Sequence, residues 1–122
     1  MTEMWHNPSC SKCAAAVETL GQANIELALR PYLEQSPNAD ELNEVLSRLR
    51  MQPWELCRMG EPAAASMADW PRDESARERW IAAMVEHPEL IQRPILLLAD
   101  GSAMVARSPE ALVEAVRRSR EQ

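Results

Sequence analysis

The chain has 122 residues and a net charge of −6, with charged and apolar fractions ordinary for a globular protein. That length predicts one domain with a core that needs no disulfide staples, and the composition excludes a disordered chain. The acidic balance argues against nucleic acid as a partner, no apolar run is long enough for a membrane span, and MTEMWHN has neither feature of a secretory signal, so the expected location is the cytoplasm.

The elements follow in chain order. Met4 and Trp5 suggest a short buried strand ending at Asn7-Pro8. Cys13, Ala16, Val17 and Leu20 then recur at helical spacing and predict a helix from Ser11 to Gln22. Ile25, Leu27 and Leu29 alternate with Glu26, Ala28 and Arg30, a strand period that stops at Pro31. Asn38 and Glu41 form the two halves of a capping box, ahead of a helix with Leu42, Val45, Leu46 and Leu49 on one face. Pro53, Gly60, Pro62 and Pro71 break the next stretch into short pieces. A second clear helix is predicted from about Asp73 to Glu86, with Trp80, Ile81 and Met84 inward. Ile95-Leu96-Leu97-Leu98 reads as a buried strand, Asp100-Gly101 as a two-residue hairpin turn, and Ala103 to Ala106 as the return strand. Ser108-Pro109 opens the last helix, anchored by Leu112, Val113 and Val116. The order β-α-β, helical block, β-β-α is that of an α/β thioredoxin-like fold with a helical insertion between residues 37 and 90.

Three cysteines are present, two of them in HNPSCSKC. In a reducing compartment such a CxxC is catalytic, redox-active or metal-binding rather than structural. Cys10 falls where the first strand gives way to the first helix, where free N–H groups and the helix dipole stabilise a thiolate. Cys13, one turn later, is placed to attack a mixed disulfide at Cys10, or is a buried apolar thiol. His6 either tunes the loop around Cys10 or caps the strand end. Cys57 reads as a core thiol. Zinc would need two further ligands, and Cys57, His6 and His87 form no second paired half-site. The positive charge comes from twelve arginines and one lysine, Lys12; taken singly, each arginine reads as a solvated surface charge.

Five blocks then match one family in order. HNPSC resembles the His-Asn-Pro-x-Cys loop of the glutaredoxin-coupled, ArsC-type arsenate reductases. PYLEQSP resembles their Tyr-Leu-x-x-Pro-Pro segment, ELCRMGEP their Leu-Leu-Arg segment, EHPELIQRPILL their His-Pro-x-Leu-x-x-Arg-Pro-Ile stretch, and MVARSPEAL their Arg-Pro-x-Glu segment. The resemblance implies that Cys10 is the nucleophile and that Arg58, Arg93 and Arg107 bind the oxyanion. It implies a cis Arg93-Pro94 bond, no bound cofactor, and glutathione with glutaredoxin, or a thioredoxin-type thiol, as reductant. Guanidinium forks suit the tetrahedral oxygens of arsenate, and the Cys10 loop would add backbone N–H groups as an anion nest.

In one place the chain departs from that pattern. The family commonly follows its nucleophile with x-x-Ser-Arg, where this chain has Cys13-Ala14. That CxxC is similar to the pair in Spx-type regulators, which sense disulfide stress and bind RNA polymerase. A redox-sensing regulator and a general thiol–disulfide oxidoreductase are therefore the alternatives to a monomeric arsenate reductase that releases arsenite. Cys13, or Cys57 beside Arg58, would resolve the adduct if an external thiol does not.

Overall fold

The computed structural model describes Thr2–Arg120. They form two compact units: Ser36–Gln92, and the chain on either side of it.

The flanking chain makes a four-stranded sheet. Strands β1 (Thr2–His6), β2 (Leu27–Pro31), β3 (Ile95–Leu97) and β4 (Ala103–Val105) lie in the order β2-β1-β3-β4. β1 runs parallel to β2 and antiparallel to β3, and β3 runs antiparallel to β4. Helix α1 (Ser11–Gln22) makes the crossover from β1 to β2, and α5 (Pro109–Arg120) closes the chain. This is the expected thioredoxin-like arrangement. A parallel pair demands such a crossover, because two parallel strands cannot be joined by a tight turn.

Side chains alternate across the strands, so one face carries Met4 and Leu96 and the other Trp5 and Ile95. Met4 and Leu96 pack with Cys13, Ala16 and Leu20 of α1 and Ala115 of α5. Trp5, 1% exposed, stacks on Tyr32 with ring centroids 6.4 Å apart. The Arg30 guanidinium covers its ring at 5.0 Å, a cation–π contact.

The Ser36–Gln92 unit is helical. It contains α2 (Ala39–Leu49), α3 (Pro53–Leu56) and α4 (Arg77–Glu86), with short 3-10 turns between and after them. The capping box at Asn38 is present in full: Asn38 Oδ1 accepts the Glu41 N–H at 2.8 Å, and Glu41 Oε1 accepts the Asn38 N–H at 3.2 Å. Trp80 is fully buried and meets Trp54 and Trp70 edge to face, at 6.4 and 5.4 Å. Its indole N–H donates to the Pro71 carbonyl.

Four expectations need correction. Leu29 is 47% exposed although it alternates with Leu27, because β2 is an edge strand with one neighbour. The same edge position tolerates the missing N–H of Pro31, the residue at which β2 ends as expected. The hairpin loop has three residues, not two: Leu98 N–H donates to Ser102 O, and Gly101 N–H donates back to Leu98 O. Gly101 carries φ +92°, the left-handed conformation that such a bulged loop requires. The helix predicted from Asp73 begins as a 3-10 turn at Glu74–Ala76, because the Asp73 carboxylate ties back the Ser75 N–H; α4 proper starts at Arg77. Val113 faces solvent at 69% exposure, and Ala115 is the fully buried residue of α5.

Candidate active site

The loop between β1 and α1 is built by its own sequence. Cys10 N–H donates to the Asn7 carbonyl at 2.9 Å, closing a turn with Pro8 in its second position. The Asn7 side chain accepts the Ser9 N–H at 3.0 Å, an Asx turn that asparagine is suited to make. The turn delivers Cys10 to the N-cap of α1 in extended conformation, with its carbonyl accepting the Ala14 N–H. The first turn of α1 holds no acidic residue, so nothing there offsets the positive end of the helix.

Cys10 is half-buried and Cys13 is 1% exposed. Burial works against the Cys10 thiolate, but the Cys13 and Lys12 N–H groups, the Arg93 guanidinium and the Cys13 thiol all favour it, and the thiol is lowered to about 7. The sulfur closes no formal cap hydrogen bond, so those N–H groups act on it as the open donors of the first helical turn. Cys13 moves the other way. Burial raises it to about 11, the Cys10 charge adding to the rise and the Asn7 N–H, 3.4 Å from its sulfur, opposing it. One turn of helix thus holds an accessible acidic thiol beside a shielded, protonated one.

Arg93 lies two residues before β3, joined to Pro94 by a cis peptide bond. Its guanidinium bears electrostatically on the Cys10 thiol and on Tyr32. Its Nε and Nη1 are buried without a hydrogen-bond partner among the described residues. Arg107 follows β4 and donates from Nη1 to the Arg93 carbonyl at 2.6 Å. Cys10, Cys13, Arg93 and Arg107 are thereby brought together. His6 ends β1 in register with Pro31, half-buried.

Two candidate residues belong to the helical unit. Arg58 lies 3.2 Å from the Glu61 carboxylate, an ion pair without hydrogen-bond alignment, and its N–H donates to the Leu90 carbonyl. Cys57, 4% exposed, pairs with Ile91 in an isolated antiparallel bridge, and burial raises its thiol to about 11 against the pull of Arg72. Its reading as a core thiol holds. No group of three metal-ligating side chains occurs among the described residues, and no described helix is long and apolar enough to cross a membrane.

The sequence reading gave Tyr32 no role, although PYLEQSP contains it. It is fully buried, and it bears electrostatically on the Arg93 guanidinium. The available signal was its rarity, since it is the only tyrosine in the chain.

The ArsC family profile matches residues 5–115. The chain belongs to the ArsC family. Among its ArsC relatives, an uncharacterized protein in the glnII region of Streptomyces viridochromogenes is 46% identical, over 95% of this chain and 99% of its own. An arsenate reductase of Neisseria meningitidis is 31% identical, over 93% of this chain and 96% of its own. Among solved structures, an arsenate reductase from Vibrio cholerae superposes with a TM-score of 0.80 at 32% identity, covering 93% of this chain and 95% of its own. The ArsC assignment thus agrees with the resemblance read from the five sequence blocks.

Proposed function

We propose that this ArsC-family protein reduces arsenate to arsenite at the expense of thiols. The observation that carries the reading is the Cys10 thiol at an open helix N-terminus, lowered to about 7 with the Arg93 guanidinium favouring its thiolate. A thiolate is the required nucleophile. Two buried, unpartnered guanidinium nitrogens beside it are donors that an oxyanion could satisfy.

In this reading the Cys10 thiolate attacks As(V) and displaces one oxygen, which leaves as water after protonation. The adduct is a covalent S–As bond held by Arg93 and Arg107. Arg58 enters as the third binding residue by resemblance alone, and the reading treats the helical unit as an insertion within one domain. A second thiol then attacks the Cys10 sulfur. The S–As bond breaks with its electron pair going to arsenic, so As(V) becomes As(III), two thiols become one disulfide, and arsenite departs. The second thiol is Cys13 or an external thiol such as glutathione, with glutaredoxin or thioredoxin restoring the reduced state in the cytoplasm. His6 would hold the loop end.

The test is arsenate-dependent NADPH oxidation with glutathione and glutaredoxin in one arm and thioredoxin with its reductase in the other. Turnover in either arm that disappears in Cys10→Ser supports the reading; no turnover in both removes it. Arg93→Lys should lose activity by an order of magnitude or more, about 10-fold, because an ammonium cannot supply the planar fork.

The Cys10–Cys13 pair, one turn apart on α1 with each thiol bearing on the other's ionisation, favours a second reading, a general thiol–disulfide oxidoreductase. Insulin-disulfide reduction without arsenate turnover would select it.

A further inference from the structure

We propose that the open edge of β2 pairs antiparallel with the β2 of a second copy of this chain, joining two four-stranded sheets across a two-fold axis at Ala28. β2 has β1 as its one neighbour in the sheet. The Glu26 carbonyl accepts the Thr2 N–H at 3.3 Å, and the register sets Ala28 beside Glu3 and Arg30 beside Trp5. Alternate residues of a parallel strand turn both backbone groups to the same neighbour. Glu26, Ala28 and Arg30 therefore face β1, while Leu27 and Leu29 turn their N–H and C=O groups outward.

This open window is closed at both ends. The Ile25 N–H donates to the Leu20 carbonyl, and Pro31 has no N–H while its carbonyl accepts the Glu34 and Gln35 N–H groups. What remains is a donor and an acceptor at Leu27 and the same at Leu29, with Ala28 midway. A two-fold axis through Ala28 sets Leu27 opposite Leu29 of the second copy, and all of these groups are then satisfied. The side chains match under the same axis. The stretch Glu26-Leu27-Ala28-Leu29-Arg30 is symmetric in its apolar residues and opposite in charge at its ends. On the face that carries Met4 and α1, leucine meets leucine, and Leu29, 47% exposed in the single chain, is covered. On the other face Glu26 meets Arg30 twice, in non-hydrogen-bonded pairs whose Cα atoms approach to about 4.5 Å. Arg30 is already ordered there by the Gln35 carbonyl and the Trp5 ring. A parallel pairing or a one-residue slip loses this match. The contact is isologous, so it closes on itself and leaves no β2 edge for a third copy.

Sedimentation velocity of the full chain from micromolar to millimolar concentration should show the expected monomer in equilibrium with a dimer. At the high end the Leu27 and Leu29 amides should exchange with solvent at least about 10-fold more slowly than at the low end. Leu29→Lys places a charge on the edge twice per dimer and should weaken association by about 10-fold or more. Glu26→Arg and Arg30→Glu should each weaken self-association, because like charges then face each other. Mixing the two variants should restore the dimer, since the mixed pair recovers opposite charges at both ends. A chain that stays monomeric at millimolar concentration would overturn the proposal. So would a dimer whose Leu27 and Leu29 amides exchange as fast as the monomer's, or charge variants that fail to rescue each other.

Discussion

Cys10 and Cys13 are chemically alike and physically opposed. At pH 7 about half of Cys10 is thiolate, whereas a thiol held near 11 is ionised in roughly one molecule in ten thousand. Burial is the main thing that holds Cys13 up, and the charge on Cys10 adds to it. If Cys13 resolves the adduct, Cys13→Ser should still consume one equivalent of arsenate. It should then stall in thioredoxin-supported turnover, and oxidised wild type should carry a Cys10–Cys13 disulfide by mass spectrometry. Normal turnover of the variant would assign resolution to an external thiol, and a Cys10–Cys57 crosslink would assign it to Cys57. The position of Cys10 was legible because Asn-Pro ahead of a helical pattern is a local signal. The Arg93 charge beside it was legible only through resemblance, because the two residues lie 83 positions apart in the sequence.

Elements were legible where a local chemical device sets their ends. The Asn38–Glu41 box starts α2 where the sequence reading placed it, and Asn38→Ala should lower stability by about 1 kcal/mol, read as a lower urea midpoint in the fluorescence of the Trp54, Trp70 and Trp80 cluster. An unchanged midpoint would mean the cap adds nothing to the packing of Leu42, Val45 and Leu46. Ser108 likewise caps α5, its hydroxyl accepting the Ala111 N–H at 3.1 Å. Periodicity failed where burial is decided by neighbours and not by pattern. Leu29 alternates correctly but lies on an edge strand, and Val113 adjoins the apolar stripe of α5 yet faces water. At Asp100-Gly101 the dipeptide marked a turn, but which loop length formed depended on the pairing of Leu98 with Ser102.

For the whole molecule, the thiols set opposing dependences of stability on pH. Cys10 is lowered in the folded state, so its contribution is present above the unfolded value, roughly 8.5, and is lost as pH falls through about 7. Cys13 and Cys57 are raised to about 11. Between the unfolded value and 11 the native state keeps protons that the unfolded chain has released, and stability falls as pH rises. Each such thiol contributes a slope of about 1.4 kcal/mol per pH unit. Cys57→Ala should therefore lose less stability than wild type between pH 9 and 10.5, whatever its stability at neutral pH. Equal losses in urea titrations at the two pH values would show that Cys57 ionises freely in the native state.

The central position of β1 has a kinetic consequence. Its antiparallel partner to Trp5 is Ile95, 90 positions later, so β1 completes its hydrogen bonding only after the residues between the two have been made. Pairing across so wide a sequence gap incurs loop-closure entropy before any ladder forms, which slows folding. Until β3 arrives, β1 and β2 are a two-stranded parallel ribbon with an open apolar edge at Met4 and Trp5, vulnerable to pairing with another nascent chain. The strand that leads into the Cys10 loop is thus the one whose other edge waits for β3 during synthesis.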